Sequence, residues 1–204
     1  MSVRGSSTDH ELLTHSGQVV DLRQPDPATI RLEDIANGLA STIRFRGALG
    51  VQLTVAQHCV MVSYWIDMEP SRRVWALFHD AAEAYLGDMS APARRLPGTA
   101  GFFVAEQRLL EAIAVKYKLE GTRCPDSVMA ADKAIRAYEV DRYGDNSAWA
   151  ELALDEPAKW LRWWGPIPAS SPFYRAWKRP LWSPAMARYM WLLRAKQLGV
   201  SEVT

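Results

Sequence analysis

Four histidines, His10, His15, His58 and His79, are all the imidazoles in the chain, so chemistry that needs this side chain is confined to them. Two of them stand in apolar surroundings. His58 lies within VAQHCVMV and His79 within WALFHDAAEAYL, where Asp80 follows directly and Glu83 comes four residues later. That spacing puts Glu83 on the same helical face as His79. An unpaired buried carboxylate is costly, so acids beside an imidazole in such a run require a counter-charge. The plain alternative for one histidine in an apolar helix is a hydrogen-bonded core residue. His79, Asp80 and Glu83 on one turn, together with His58, read instead as a site. The other two histidines drop out. His10-Glu11-Leu12-Leu13-Thr14-His15 imitates a zinc-protease motif, but its histidines are five apart rather than four. On a helix that is about 140° of rotation, too much to share an ion. Cys59, next to His58, reads as a small buried residue.

The elements that must position these residues are mostly helical. Ile30, Leu32, Ile35 and Leu39 recur at helical spacing, with Glu33 and Asp34 suited to a first turn. Thr54 is an N-cap for a helix over 55–68, and Pro70-Ser71 opens a second that runs unbroken to Gly87. Further helices are predicted over 102–119, from Pro125-Asp126 to Gly144, and over 184–199. Residues 41–53, with two arginines and two glycines before the helix of His58, and residues 88–101 read as loops. Ser16-Gly17 within 14–23 suits a small hairpin, after a frayed start over 1–13. Seven of the nine tryptophans fall between Trp149 and Trp191 among closely spaced prolines, which shorten any helix before the last. They read as packing and interface residues rather than a stacking platform for nucleic acid. The pattern predicts a mainly helical single domain.

Composition narrows the function. The 204 residues are 49% hydrophobic and carry 24 Lys+Arg against 23 Asp+Glu, a net charge of +1. Such a balance can bury an ordinary core and does not suit stable binding of long nucleic acid. Cys59 and Cys124 make no disulfide framework, and there is no signal-peptide pattern or apolar run near the roughly 20 residues that span a bilayer. A cytoplasmic protein without membrane attachment is expected.

The segments VAQH, ALFHDAAEAYLGDMSAP and AADKA resemble the HD-domain metal-dependent phosphohydrolases, in the short branch of bacterial 5′-deoxynucleotidases and phage deoxynucleotide phosphohydrolases. The resemblance covers the core over 14–143 and implies an all-α bundle; the Trp/Pro-rich 144–204 has no counterpart in it and is expected to pack on the same domain. The resemblance also implies one divalent metal held by His58, His79, Asp80 and Asp132. A mixed imidazole and carboxylate set suits Mn²⁺, Co²⁺, Fe²⁺ or Mg²⁺. By the same resemblance Glu83 and Asp88 are the catalytic acids, handling the proton of the attacking water and of the leaving oxygen. Arg44 is expected to clamp the substrate phosphate, Arg46 to be second choice, Phe45 to stack on base or sugar, and Lys133 to meet phosphate. Glu139 is read as structural. The implied substrate is a small deoxynucleotide and the implied assembly a homo-oligomer. Two reactions stay open: release of phosphate from a monophosphate, or of triphosphate from a deoxynucleoside triphosphate, for which Arg94 and Arg95 are further available cations. A non-catalytic nucleotide sensor and a nuclease acting on polymers are the competing classes; the intact ligand set argues against the first and the balanced charge against the second.

Overall fold

A computed structural model describes residues 8–65, 69–144 and 180–202. The chain enters through a hairpin. Strand β1, Glu11–Leu13, pairs antiparallel with β2, Val19–Asp21, in the register Leu12↔Val20. Gly17 turns it at φ +83°, a left-handed conformation that glycine adopts without a Cβ penalty. The backbone N–H and hydroxyl of Ser16 both donate to the Asp34 carboxylate at 2.7 Å, pinning the turn to the first helix. His10 and His15 are exposed, one before the hairpin and one in its turn. Neither is on an α-helix.

Helix α1, Leu32–Ser41, buries Leu32, Ile35, Ala36, Leu39 and Ala40, the stripe its spacing predicts. Its first N–H, on Leu32, donates to the Glu202 carboxylate at 2.8 Å, so a residue near the other end of the sequence caps it. Helix α2, Val55–Ser63, is capped by Thr54 as expected and is buried along its whole length. It contributes to two apolar clusters. Val55, Ala56, Cys59 and Val60 pack with Ile35, Leu39, Phe78 and Trp191, whereas Met61 and Val62 pack with Trp65, Trp75, Val128 and Ile135.

The predicted helix over 72–87 is two helices. Helix α3, Pro70–Phe78, ends one residue before His79, and α4, Glu83–Leu86, resumes after a tight turn through residues 79–82. The turn is closed by bonds three residues apart, Ala81 N–H to Phe78 O, Glu83 N–H to Asp80 O and Ala84 N–H to Ala81 O. Gly87, at φ +78°, ends α4. Helix α4 sits hard against α1 because Gly38 has no side chain; a Cβ there would lie 2.5 Å from the Ala84 carbonyl oxygen.

Three helices follow: α5, Ala91–Arg94, α6, Ala100–Lys116, and α7, Asp126–Tyr143, the last closed at Gly144 as predicted. The last described helix, α8, Pro184–Gln197, is capped by Ser183 and packs on α1, α2 and α3. Trp191 is fully buried, its indole N–H donating to Leu77 O at 3.3 Å and its ring edge-on to Phe78 at 5.1 Å. The Trp182 N–H donates to the Gln57 side chain at 2.9 Å. Helix α8 is therefore part of the first apolar cluster. The other five tryptophans of this region, at 149, 160, 163, 164 and 177, lie outside the described residues.

Candidate metal centre

His58 is carried by α2, His79 and Asp80 by the turn after α3, and Asp132 by α7; His58, His79 and Asp132 bring ligand atoms together, and Asp80 reaches both imidazoles. His58 Nε2 lies 3.3 Å from His79 Nε2 and 3.1 Å from Asp132 Oδ1, and Asp80 Oδ2 lies 3.1 Å from His79 Nε2 and 3.7 Å from His58 Nε2. The break in the helix makes this possible. Neighbours on a continuous α-helix diverge by about 100°, yet the turn lets His79 and Asp80 point into the same space.

The second layer sets which imidazole atoms face inward. His79 Nδ1 lies 2.8 Å from Ala76 O, and a carbonyl only accepts, so Nδ1 carries the hydrogen. His58 Nδ1 is 2.7 Å from Glu139 Oε1 and donates to it. In the neutral rings both Nε2 atoms then present lone pairs to each other and to two carboxylate oxygens. Four acceptors in one place repel unless a cation or protons lie among them. With protons alone, burial opposes the charge on His79, but Asp80 and Asp132 outweigh it and hold its pKa well above the usual value. Burial likewise works against ionised Asp132, whereas the bonds to His58 and His79 hold its carboxyl well below the usual range. The donors also fit an ion. Ligands about 2.1 Å from a cation and at right angles to one another stand about 3.0 Å apart, and the separations found run from 3.1 to 3.8 Å. These residues could hold a divalent metal. Cys59 is a further donor nearby, grouped with His79 and Asp80, and burial pushes its thiol up to about 11.

Glu139 is the hidden member of the centre. It is fully buried, receives His58 on one oxygen and receives Arg44 Nε on the other at 3.0 Å. Seven residues after Asp132, it falls on the same face of α7 two turns on, which is the one sequence signal for it.

Arg44 departs from expectation. Its guanidinium is buried and shared among Glu139 at 3.0 Å, Asp80 at 3.5 Å and Asp132 at 3.9 Å. It braces the carboxylates of the centre instead of standing free as a clamp, although it still borders the cavity beside them. Residues 41–53 are loop-like, as predicted, but hold a short 3₁₀ turn, Arg44–Gly47. Within it Phe45 and Arg46 adopt left-handed backbone, φ +53° and +54°, which costs roughly 1–2 kcal/mol per non-glycine residue. The pairing of Ile43 with Thr54 holds the loop closed around them.

The centre forms part of the wall of a cavity of about 880 Å³. Phe45, Arg46, Glu83 and Asp88 line it. Lys133 does not; it is exposed, on another face of α7 from Asp132. Arg95 is exposed and outside the lining too, while Arg94 lines the cavity but donates to both oxygens of Glu106, at 2.9 and 2.6 Å. Arg123, Arg136, Gln107, Leu110 and Met129 also line it and have no motif to announce them. Glu83 is 5% exposed and its Oε2 has no hydrogen-bond partner among the described residues. Burial, with Asp80 and Asp88 adding to it, pushes the Glu83 carboxyl up to about 10. Burial and Asp80 also raise Asp88, against the pull of Arg44. Two carboxyls poised to carry protons thus face the cavity next to a group of ligands.

Fold and site together define a mainly helical protein with a buried His/Asp group that could hold a metal ion beside a large cleft. No family model matches the chain. It belongs to the family of an uncharacterized protein of Rhodobacter capsulatus, to which it is 34% identical over 153 residues, 70% of this chain and 78% of that protein. It is also similar to the uncharacterized protein YfdR of Escherichia coli, 38% identical over 125 residues, 60% of this chain and 67% of that one. No helix among the described residues is long and apolar enough to cross a membrane.

Proposed function

We propose that this protein is a divalent-metal-dependent phosphohydrolase of deoxynucleotides, of the HD-domain kind that its motifs resemble. The observation that carries the reading is the grouping of His58, His79 and Asp132, with Asp80 beside both imidazoles, next to a cavity that also presents arginines and two raised carboxyls. When bound, the ion supplies a Lewis acid and acidifies water. The chain's own residues do the rest. Glu139 holds His58 in the tautomer that offers Nε2, and the Ala76 carbonyl does the same for His79. Arg44 keeps the ligand carboxylates in place. Glu83 orients the attacking water through its unpartnered oxygen, and Asp88, its carboxyl raised, protonates the leaving 5′-oxygen. The water oxygen joins phosphorus, the P–O5′ bond breaks, and one water proton ends on the released deoxynucleoside. A cytoplasmic location fits the two free cysteines, and the resemblance implies a homo-oligomer.

The test is incubation of Mn²⁺-loaded protein with deoxynucleoside mono- and triphosphates, with the products separated. Turnover is expected, and Asp80→Ala should abolish it together with stoichiometric metal. Hydrolysis that survives in Asp80→Ala refutes the reading.

A further inference from the structure

Two sets of donors overlap at the centre. His58, His79 and Asp132 form one, and Cys59, His79 and Asp80 form the other, with the ligand atoms of each set lying within 4.8 Å of one another. The sets differ in chemistry. The first offers two imidazoles and a carboxylate, which suit borderline and harder ions. The second has a thiol in place of one imidazole, the soft donor that favours ions such as Zn²⁺ and Cd²⁺. Helix α2 supplies that difference, because His58 and Cys59 are consecutive on it.

His79, Asp80 and Asp132 line the cavity, whereas His58 and Cys59 do not. In both sets, therefore, α2 contributes its donor from behind the residues that border the opening. Cys59 is fully buried, and its thiol interacts with the His79 ring. A tetrahedral ion with donors about 2.0–2.3 Å away holds them about 3.5 Å apart. His79 Nε2 and Asp80 Oδ2 already stand within that reach, at 3.1 Å, and the sulfur must come in by about 1.3 Å at most. The two sets cannot be filled together. His79 Nδ1 is committed to the Ala76 carbonyl at 2.8 Å, so Nε2 carries the one lone pair that the ring can give to an ion.

We propose that Cys59, His79 and Asp80 form a second, thiolate seat for a soft divalent ion, filled in competition with the first set through the shared His79. On binding, the Cys59 S–H bond breaks, the sulfur becomes a ligand and the proton passes to water, with no change of oxidation state. The inference concerns which ion is held and not which reaction follows, so it does not depend on the phosphohydrolase reading.

The experiment titrates metal-free, full-length protein with Cd²⁺ and follows the ultraviolet charge-transfer band of a cadmium thiolate. In wild type the band should reach its plateau at one Cd²⁺ per chain. Mn²⁺ bound beforehand should be released as the band grows, followed by electron paramagnetic resonance. Cys59→Ser should lose the band and weaken Cd²⁺ binding by more than the roughly 10–100-fold of a lost outer partner, with Mn²⁺ affinity unchanged. Cys124→Ser, which removes the thiol that lines the cavity, should keep the band. Because Cys59 is buried, thermal melts check that each variant folds. X-ray absorption of Cd²⁺-loaded wild type tests the same point without a substitution, and should find one sulfur among nitrogen and oxygen neighbours of the ion. A spectrum without sulfur overturns the proposal, as does a band that survives Cys59→Ser. Cd²⁺ and Mn²⁺ held together on one chain would overturn the sharing of His79. None of these readouts uses turnover, so the phosphohydrolase reading fails or survives separately.

Discussion

The two sides of α2 are built on opposite principles. Toward α7 and the turn after α3, His58 meets His79, Asp80, Asp132 and Glu139, and Arg44 joins the three acids, so that charged groups are buried against one another. Toward α1 and α8, the same helix meets Ile35, Leu39, Phe78 and Trp191. On the first side each group depends on specific partners, because a buried charge that loses one is left uncompensated. On the second side the packing is mainly apolar, with a few bonds such as Arg194 to Ser63 and Trp191 to Leu77 O fixing α8, and its apolar part tolerates rearrangement at a cost in cavity volume. Damage on the first side should thus be felt in ion binding and folding together, and damage on the second in folding alone.

Substitutions can break or sharpen this contrast. The largest effect is expected from Glu139→Ala, which strips His58 Nδ1 and Arg44 Nε of their acceptor at once. About 3–5 kcal/mol of stability should be lost in chemical denaturation, with Mn²⁺ affinity down about 10–100-fold by calorimetry. Unaltered metal affinity would remove Glu139 from the centre. Trp191→Ala should cost a similar or slightly smaller amount, about 3–5 kcal/mol. At temperatures where the variant stays folded, its metal affinity should match wild type; a parallel loss of affinity would mean that the two sides are not separable. Gly38→Ala lies on the border. Its Cβ would collide with the backbone of α4 at Ala84, next to Glu83, so a loss of about 1–3 kcal/mol is expected, together with slower turnover at unchanged metal stoichiometry. Lys133→Ala should be the mildest, within about 0.5 kcal/mol in stability and with wild-type KM; a raised KM would return Lys133 to the substrate.

How far these features are legible in sequence follows from their physical origin. Helices α1, α2, α7 and α8 announce themselves through apolar spacing, Thr54, Gly144 and Pro184, all local signals. The interruption at His79 does not, since WALFHDAAEAYL has neither proline nor glycine to mark it and Gly87 is the first available stop. The bond pattern there depends on tertiary context, and so does the joint aim of His79 and Asp80. Phe45 and Arg46 are equally opaque, because aromatic and basic side chains do not advertise left-handed backbone as Gly47 does. Gly38 reads as an unfavourable helix residue until Ala84 is seen against it. Lys133 is exposed and outside the cavity lining for a simpler reason: adjacency to Asp132 in sequence is divergence on a helix. Arg44 borders the cavity, but its carboxylate partners sit 36, 88 and 95 positions away and leave no local trace.

The four inward-facing atoms come from positions 58, 79, 80 and 132, and only the middle two are neighbours in the chain. An unfolded polypeptide can offer an ion that adjacent pair and little more, since recruiting the others means closing long loops against chain entropy. An ion captured by all four would therefore act as a clasp among α2, the turn and α7, with its affinity reserved for the folded state. Its free concentration would then raise the melting temperature by mass action, making the resistance of this protein to heat a readout of the surrounding ion supply.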